Sequence, residues 1–455
     1  MYTYLLLFLL LGTGLYFSIR SRFAQVRLMK EGFRILTEKA EVGDGKRQVS
    51  SFQALMISTA SRVGTGNIAG IATAIAAGGP GAVFWMWVMA VIGSASAFIE
   101  STLAQVYKTK DGKDFRGGPS YYMEKALGKR WMGVLFSVLL IICFAYGFNG
   151  LQSYNMSSAL EYYIPGYSES SYPMIVGLIL AVGTGLIIFG GVHRIGFITS
   201  VMVPIMAGAY LLMGLFTIVT HLPQLPGIFA MILSEAFDFQ AIFGGMAGSA
   251  VVIGIKRGLF SNEAGMGSAP NAAASASVSH PAKQGMVQVI SVFIDTLLIC
   301  SATAMMLLLS GVQGEASVLD GIPFVQKAIS ANVGTWGIHF ITASIFAFAF
   351  SSLIGNYYYA ESNILFIKNN KVLLFVFRCT CLLAVFLGAQ ADFSLVWNLA
   401  DITMGCMAIV NIIAILLLGN IALKVLKDYE TQKKAGKNPV FKAENVGIKN
   451  TDCWK

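Results

Sequence analysis

Runs of about 20 apolar residues recur along the whole chain, each long enough to cross the hydrocarbon core of a bilayer. About eleven such spans are expected, near 2–19, 53–77, 83–107, 132–160, 173–191, 196–220, 239–275, 286–310, 336–366, 371–388 and 393–423. A backbone group without a hydrogen-bond partner costs several kcal/mol in lipid, so spans of this length must be helical. The expected fold class is therefore an all-α integral membrane protein. With 56% apolar and 12% charged residues and a mean hydropathy of +0.68, a soluble domain is excluded. Residues 2–19 carry neither a basic n-region nor a small-x-small cleavage site, and are expected to be a retained span.

The net charge of +9 points to topology once its placement is read. Of 32 Lys and Arg, eight lie in 20–52, seven in 108–130 and eight after residue 423. His193, Arg194, Lys283, Lys368 and Lys371 mark the remaining loops of that side. The alternate loops, near 78–82, 161–172, 221–238, 311–335 and 389–392, hold one basic residue, Lys327. Basic residues collect on the cytoplasmic side, which places the N-terminus outside and the C-terminus inside a prokaryotic inner membrane. The lipid bilayer is the expected partner of this surface; no nucleic acid and no obligate protein partner is expected. The six cysteines and four histidines are too scattered for a metal clamp or a disulfide framework.

Two spans break the apolar pattern. In Ser58-Thr59-Ala60-Ser61-Arg62-Val63-Gly64-Thr65-Gly66-Asn67, glycines, hydroxyls and an arginine fall in mid-membrane. Glycine costs about 1 kcal/mol relative to alanine in a helix interior. Such a stretch suits a discontinuous helix whose freed backbone binds a small charged solute. A small-residue packing surface between helices would use the same residue types. The second stretch, Gly254 to Ser268, holds four glycines and three charged residues, Lys256, Arg257 and Glu263.

Setting aside 1–52 (a first span and a basic, amphipathic loop expected on the inner membrane surface), the remaining ten spans divide into two groups of five. These are 53–220 and 239–423, followed by a cytoplasmic tail, 424–455. An odd number of spans per group forces inverted topology, and each group opens with an interrupted helix. Paired interruptions in inverted repeats point to a transporter with a midplane binding site. The tail is basic and polar and is expected to be mobile.

The chemistry follows from the residue types. Half-helix N-termini and the bare backbone at Gly64, Thr65 and Gly66 suit a carboxylate; carbonyls and hydroxyls suit a hard cation. A zwitterionic amino acid bound beside a cation satisfies both. Gln152, Tyr154 and Asn155 give span 132–160 a hydrogen-bonding face, and Ser351, Ser352, Asn356, Tyr357 and Tyr358 do so for 336–366. Interhelical hydrogen bonding is the alternative use of each. Phe260 is placed to close over a solute, or simply to pack. Arg62, Lys256, Arg257, Glu263, Asp295, Glu361 and Arg378 are charges within or near spans, which are expensive and are usually paired. Pairing of Arg62 or Arg257 with Glu263 or Glu361 is expected at an inner gate, with Lys256 and Arg378 free to snorkel towards an interface.

Gly78-Gly79-Pro80-Gly81-Ala82-Val83-Phe84-Trp85-Met86-Trp87 resembles the signature of the alanine or glycine:cation symporter family. Arg257-Gly258-Leu259-Phe260-Ser261-Asn262-Glu263-Ala264-Gly265 is similar to that family's second long motif. By order and spacing the resemblance spans about residues 50–424. It implies the leucine-transporter fold, small neutral amino acids as substrates and Na⁺ as coupling ion, with no other cofactor. It further implies a cation site from the carbonyls of Ala60 and Val63 and the hydroxyls of Ser351 and Ser352. The implied substrate pocket is Gly64, Thr65, Gly66, Gln152, Phe260, Ser261 and Gly265. Proton-coupled relatives of the fold often carry a lysine on the fifth core helix, and 196–220 has none. Some members have tryptophan where Asn356 aligns; asparagine leaves room and adds a donor and an acceptor, which keeps glutamine or serine open beside alanine. A channel would need a filter-like constriction, and an enzyme a spaced nucleophile and base; neither pattern is present.

Overall fold

A chain that must satisfy its backbone inside lipid has little choice but to coil. The computed structural model is helical apart from turns and two short hairpins. It describes residues 2–38, 42–43, 46–112, 114–190, 192–238, 249–312 and 321–454. Among them, seven helices are long and apolar enough to cross a membrane. They are α5 (Gly81–Val106), α7 (Arg130–Ser158), α9 (Val192–Thr220), α13 (Pro281–Leu308), α15 (Trp336–Ile367), α16 (Lys371–Gly388) and α17 (Phe393–Lys434). Two shorter apolar helices are α1 (Tyr2–Arg20) and α8 (Tyr172–Ile188), and the amphipathic α2 (Met29–Leu36) follows α1. Apolar side chains on α8 and α9 point outward, Leu186 66%, Ile205 67% and Leu212 68% exposed, as a lipid-facing surface requires.

Both spans expected to be interrupted are interrupted. In the first, α3 (Ser51–Arg62) and α4 (Ala69–Gly78) flank a 3₁₀ turn, Thr65–Asn67. In the second, α11 (Ala250–Asn262) and α12 (Pro270–Ser275) flank residues 263–269. This second break is narrower than the sequence suggests, because α11 runs unbroken through Lys256-Arg257-Gly258. Its two glycines serve close packing on α5: a Cβ on Gly254 would lie 2.4 Å from the Ala82 carbonyl oxygen, and one on Gly258 3.2 Å from Met89. Unwinding begins where Glu263, Gly265 and Gly267 take φ of 54°, 83° and 84°. The expected start of this span, 239–248, lies outside the described residues, as do the side chains of His193 and Arg194.

Three segments expected to be loops contain helices: α6 (Pro119–Leu127), α10 (Leu225–Ala236) and α14 (Gly321–Val333). At a rise of about 1.5 Å per residue each is too short to span, and each buries one face instead. The Trp85 indole donates to the Ala236 carbonyl at the end of α10 (3.0 Å). In the packing, α3 lies against α9, α15 and α13, α11 lies against α5 and α4, and α16 packs on α8 and α7.

The tail is not free. The Trp454 indole donates to the Gln105 carbonyl (2.7 Å), the Phe441 amide to the Ser279 carbonyl (2.9 Å), and Lys125 pairs with Asp452 (2.6 Å). Burial of Phe441, Ala443 and Trp454 repays the ordering that a purely polar tail could not.

The α2 helix is tied to the far end of α17. Glu31 accepts from the Tyr429 hydroxyl (2.5 Å) and pairs with Lys433 (2.9 Å) and Arg34 (2.8 Å). Arg34, helped by Tyr429 and Lys433, holds this carboxyl at about 2, against the upward push of its partial burial. A depressed carboxyl stabilises the fold above its ordinary value, and that contribution disappears as pH falls toward 2. The distance between spin labels placed on α2 and α17 is therefore expected to hold at pH 6 and to broaden below pH 4. Glu31→Gln should remove that pH dependence.

Candidate functional site

The first break carries most of the predicted residues. The α3 helix stops at Arg62 because Val63 and Gly64 leave helical geometry. The Gly64 amide donates to Asn67 Oδ1 (3.0 Å) and the Thr65 amide to Gln152 Oε1 (3.0 Å). The amide nitrogen of Asn155 donates to the Thr65 hydroxyl (3.1 Å). So α7 replaces partners that the helix has given up. A Cβ on Gly64 would sit 2.3 Å from Ser352 Oγ and 2.9 Å from Gln152; one on Gly66 would sit 2.7 Å from the Phe260 ring. At both positions the glycine permits close approach.

The two breaks meet. Asn67 donates to Ser261 Oγ (3.1 Å), and both reach Asp295 of α13: Asn67 Nδ2 to Oδ1 at 2.7 Å, Ser261 Oγ to Oδ2 at 2.5 Å. Ser61 donates to Glu263 (3.0 Å), which also accepts from Ser268 (2.6 Å). Opposite them, Ser352 Oγ lies 3.0 Å from the Ala60 carbonyl oxygen and 3.4 Å from that of Val63; Ser351 Oγ lies 3.4 Å from Ala60. These two pairs, Ala60 with Val63 and Ser351 with Ser352, meet where α3 ends against α15.

Phe260 lies against Gly66, its ring tilted between Phe148 (4.8 Å between ring centroids) and Trp397 (5.2 Å). The Arg257 guanidinium covers Trp397 at 4.4 Å and grips Asp401 through both oxygens (3.2 and 3.0 Å), while Lys256 reaches Asp401 at 2.6 Å. Beyond this stack a cleft lined by Thr73, Ile253, Phe393 and Asn398 opens.

Two expectations need correction. Gly265 does not join the pocket residues: its amide donates to Glu100 (3.2 Å), and a Cβ there would meet Ser96. None of the expected gate pairs forms. Arg257 takes Asp401, Glu361 pairs with Arg378 (3.1 Å), Arg62 donates to Gln288 (3.2 Å), and Glu263 is held by serines. Lys256 and Arg378 are ion-paired rather than snorkelling.

Asn356 Oδ1 lies 2.7 Å from Ser61 Oγ, whose one proton it shares with Glu263 as alternative acceptors, and Asn356 donates to Asn149 (3.0 Å), next to Phe148. Sequence reasoning missed Asn149, Glu100 and Asp401, and gave Asn67 and Asp295 no role. An acidic residue inside an apolar span was the available signal for Glu100 and Asp401. Among the described residues no three His, Cys, Asp or Glu cluster as a metal centre.

Residues 1–443 match the family described as "Sodium:alanine symporter family". The chain is 50% identical over 451 residues to the amino-acid carrier protein AlsT of Bacillus subtilis, covering 99% of this chain and 95% of that protein. It is equally similar, 50% over 451 residues, to the "Probable sodium/glutamine symporter GlnT" of the same organism (99% and 93% covered). Identity to the sodium/alanine symporter AgcS of Methanococcus maripaludis is 36% over 437 residues (95% and 96%). Among solved structures, a manganese transporter of Eremococcus coleocola superposes with a TM-score of 0.54 at 14% identity, covering 88% of this chain and 84% of that one. At that identity the likeness shows a shared fold.

Proposed function

Because this chain belongs to the sodium:alanine symporter family, we propose that it moves a small neutral amino acid inward together with Na⁺ by alternating access. In this reading the two inverted repeats, 53–220 and 239–423, rock about a site at their paired breaks, with the N-terminus outside and the C-terminus in the cytoplasm. Na⁺ is held by the carbonyls of Ala60 and Val63 and the hydroxyls of Ser351 and Ser352. The solute lies against Gly64, Thr65 and Gly66, with Gln152, Phe260 and Ser261 around it. The convergence of Ala60, Val63, Ser351 and Ser352 at the first break carries the proposal.

The mechanism follows from that geometry. A cation joining α3 to α15 draws the break against Ser352 and orders the adjoining backbone. The amino acid then meets a pre-formed surface, so each ligand raises the other's affinity, typically by about 1–3 kcal/mol. Phe260, Trp397 and the Arg257–Asp401 pair close the path on the side of α4 and the start of α17. The test is uptake of labelled alanine, serine and glutamine into proteoliposomes, with Na⁺ replaced by Li⁺, K⁺ or a proton gradient. Saturable accumulation against a gradient only with Na⁺ supports the reading; uptake indifferent to Na⁺ refutes it.

Ser352→Ala is expected to raise the Na⁺ concentration for half-maximal uptake about tenfold, equivalent to about 1.4 kcal/mol. Ser351→Ala should do less, because its hydroxyl is closer to Phe348 (2.8 Å) than to Ala60. Unchanged Na⁺ dependence in Ser352→Ala would remove this cation site from consideration.

The Asn356–Asn149 pair favours glutamine or serine as a main substrate beside alanine, since it supplies amide groups where an apolar wall would suit only a methyl. Asn356→Trp is expected to lower glutamine uptake relative to alanine by at least about tenfold, the size of effect that a lost polar contact produces in a discriminating site. An unchanged ratio in a competition assay would count against this residue as a selector.

A further inference from the structure

The second break is held by a carboxylate from outside itself. Glu100, fully buried in mid-α5, accepts from the Gly265 amide through Oε1 (3.2 Å) and from the Gly267 amide through Oε2 (3.1 Å). Asn411 of α17 donates to the same Oε2 (2.7 Å) and to the Gly265 carbonyl (2.9 Å). The Tyr122 hydroxyl closes the group by donating to Asn411. Both amides belong to glycines with φ above 80°, where a side chain is strained. A Cβ on Gly267 would also lie 2.8 Å from Asn411, Phe136 and Pro119.

The two breaks are thus unlike. The first has its amides answered by neutral side-chain oxygens, Asn67 and Gln152, at the point where the pocket residues gather. In the second, an internal carboxylate already fills the place that a solute carboxylate would take. We infer that Glu100 is a positioning residue: it fixes the unwound segment 263–269 through Gly265 and Gly267, and thereby sets Ser261 and Phe260 at the pocket without touching the solute. Glutamine in its place keeps the shape but turns one acceptor oxygen into a donor, which opposes an amide that also donates. The broken segment then loses one anchor, and the side chains preceding it lose their fixed position.

This inference rests on the amino-acid symport reading for its second readout only. The first is hydrogen–deuterium exchange of the peptide covering 263–269 in the full chain in detergent. Exchange in Glu100→Gln is expected at least tenfold faster than in the native chain, with the peptide covering α15 unchanged. The second is binding of alanine, serine and glutamine in Na⁺. Glu100→Gln should weaken all three in the same proportion, by about tenfold, because a residue acting through the break does not discriminate between side chains. Glu100→Ala opens a carboxylate-sized hole, and formate should recover binding where chloride at equal concentration does not.

Native exchange rates at 263–269 in Glu100→Gln would overturn the inference. So would a changed preference among the three amino acids, which would place Glu100 in direct contact with solute. A native chain that binds none of the three refutes the symport reading and leaves the exchange result to decide the role of Glu100. If Glu100→Ala does not fold, Glu100→Gln and Glu100→Asp carry the test.

Discussion

Gly64→Ala is expected to abolish sodium-dependent uptake while leaving a folded protein in the membrane. The added methyl would lie 2.3 Å from Ser352 Oγ, 2.9 Å from Gln152 Nε2 and 3.1 Å from Gln152 Oε1. These neighbours are polar, and two of the three atoms are engaged: Ser352 Oγ with Ala60 and Val63, Gln152 Oε1 with the Thr65 amide. Relief of the clash must therefore push α15 or α7 away from the first break. Overpacking of a filled interior costs about 1–3 kcal/mol, a tolerable loss of stability for a domain of this size. The loss of function is larger, because the same displacement pulls the Ser352 hydroxyl from the carbonyls and Gln152 from the backbone together. Thermal stability within a few degrees of native, with uptake at background, is the expected pair of results. Uptake above a tenth of native would show that the break does not need this close approach. Gly66→Ala would set its methyl 2.7 Å from the Phe260 ring, which is itself held between Phe148 and Trp397.

Asp401→Ala is expected to lower uptake by at least about a hundredfold. Asp401 is nearly buried and answers two cations, Arg257 through both oxygens and Lys256 at 2.6 Å. Removing one member of a buried pair typically costs about 3–5 kcal/mol, since the charge left behind has lost its solvation. Here the orphan is Arg257, whose guanidinium also lies on Trp397, and Trp397 lies on Phe260. The loss therefore reaches the pocket through two ring contacts. Arg257→Lys separates charge from shape. It keeps the cation but gives up the two-pronged grip on Asp401 and the flat face over Trp397, and a loss of about tenfold is expected. Native uptake in Asp401→Ala would show that the stack plays no part in closing the path.

The docked tail and the Glu100 anchor have something in common with the Arg257–Asp401 pair. Each joins residues more than a hundred positions apart, and each uses a polar group buried against a partner that local pattern cannot name. The expected gate pairs failed for the same reason. Arg62 and Glu263 sit at adjoining ends of broken helices, yet the rotation of α3 turns Arg62 to Gln288 of α13, while Ser61 turns to Glu263. One step along a helix turns a side chain by about 100°, so partner choice depends on helix rotation, which hydropathy does not encode.

What the chain alone determined is the local physics: which stretches must enter lipid, that they must be helical there, and where two of them could not stay continuous. Those follow from desolvation and backbone hydrogen bonding, which act on neighbours in sequence. The interruption at Val63, Gly64 and Gly66 could be located because its residues lie within one turn or two of each other. Tertiary structure alone decided that Arg257 takes Asp401, that Glu100 accepts from the Gly265 and Gly267 amides of the second break, and that Trp454 seals against Gln105. Those outcomes depend on how helices cross and turn against one another, and many rotations satisfy the same apolar pattern while only one brings every buried polar group to a partner.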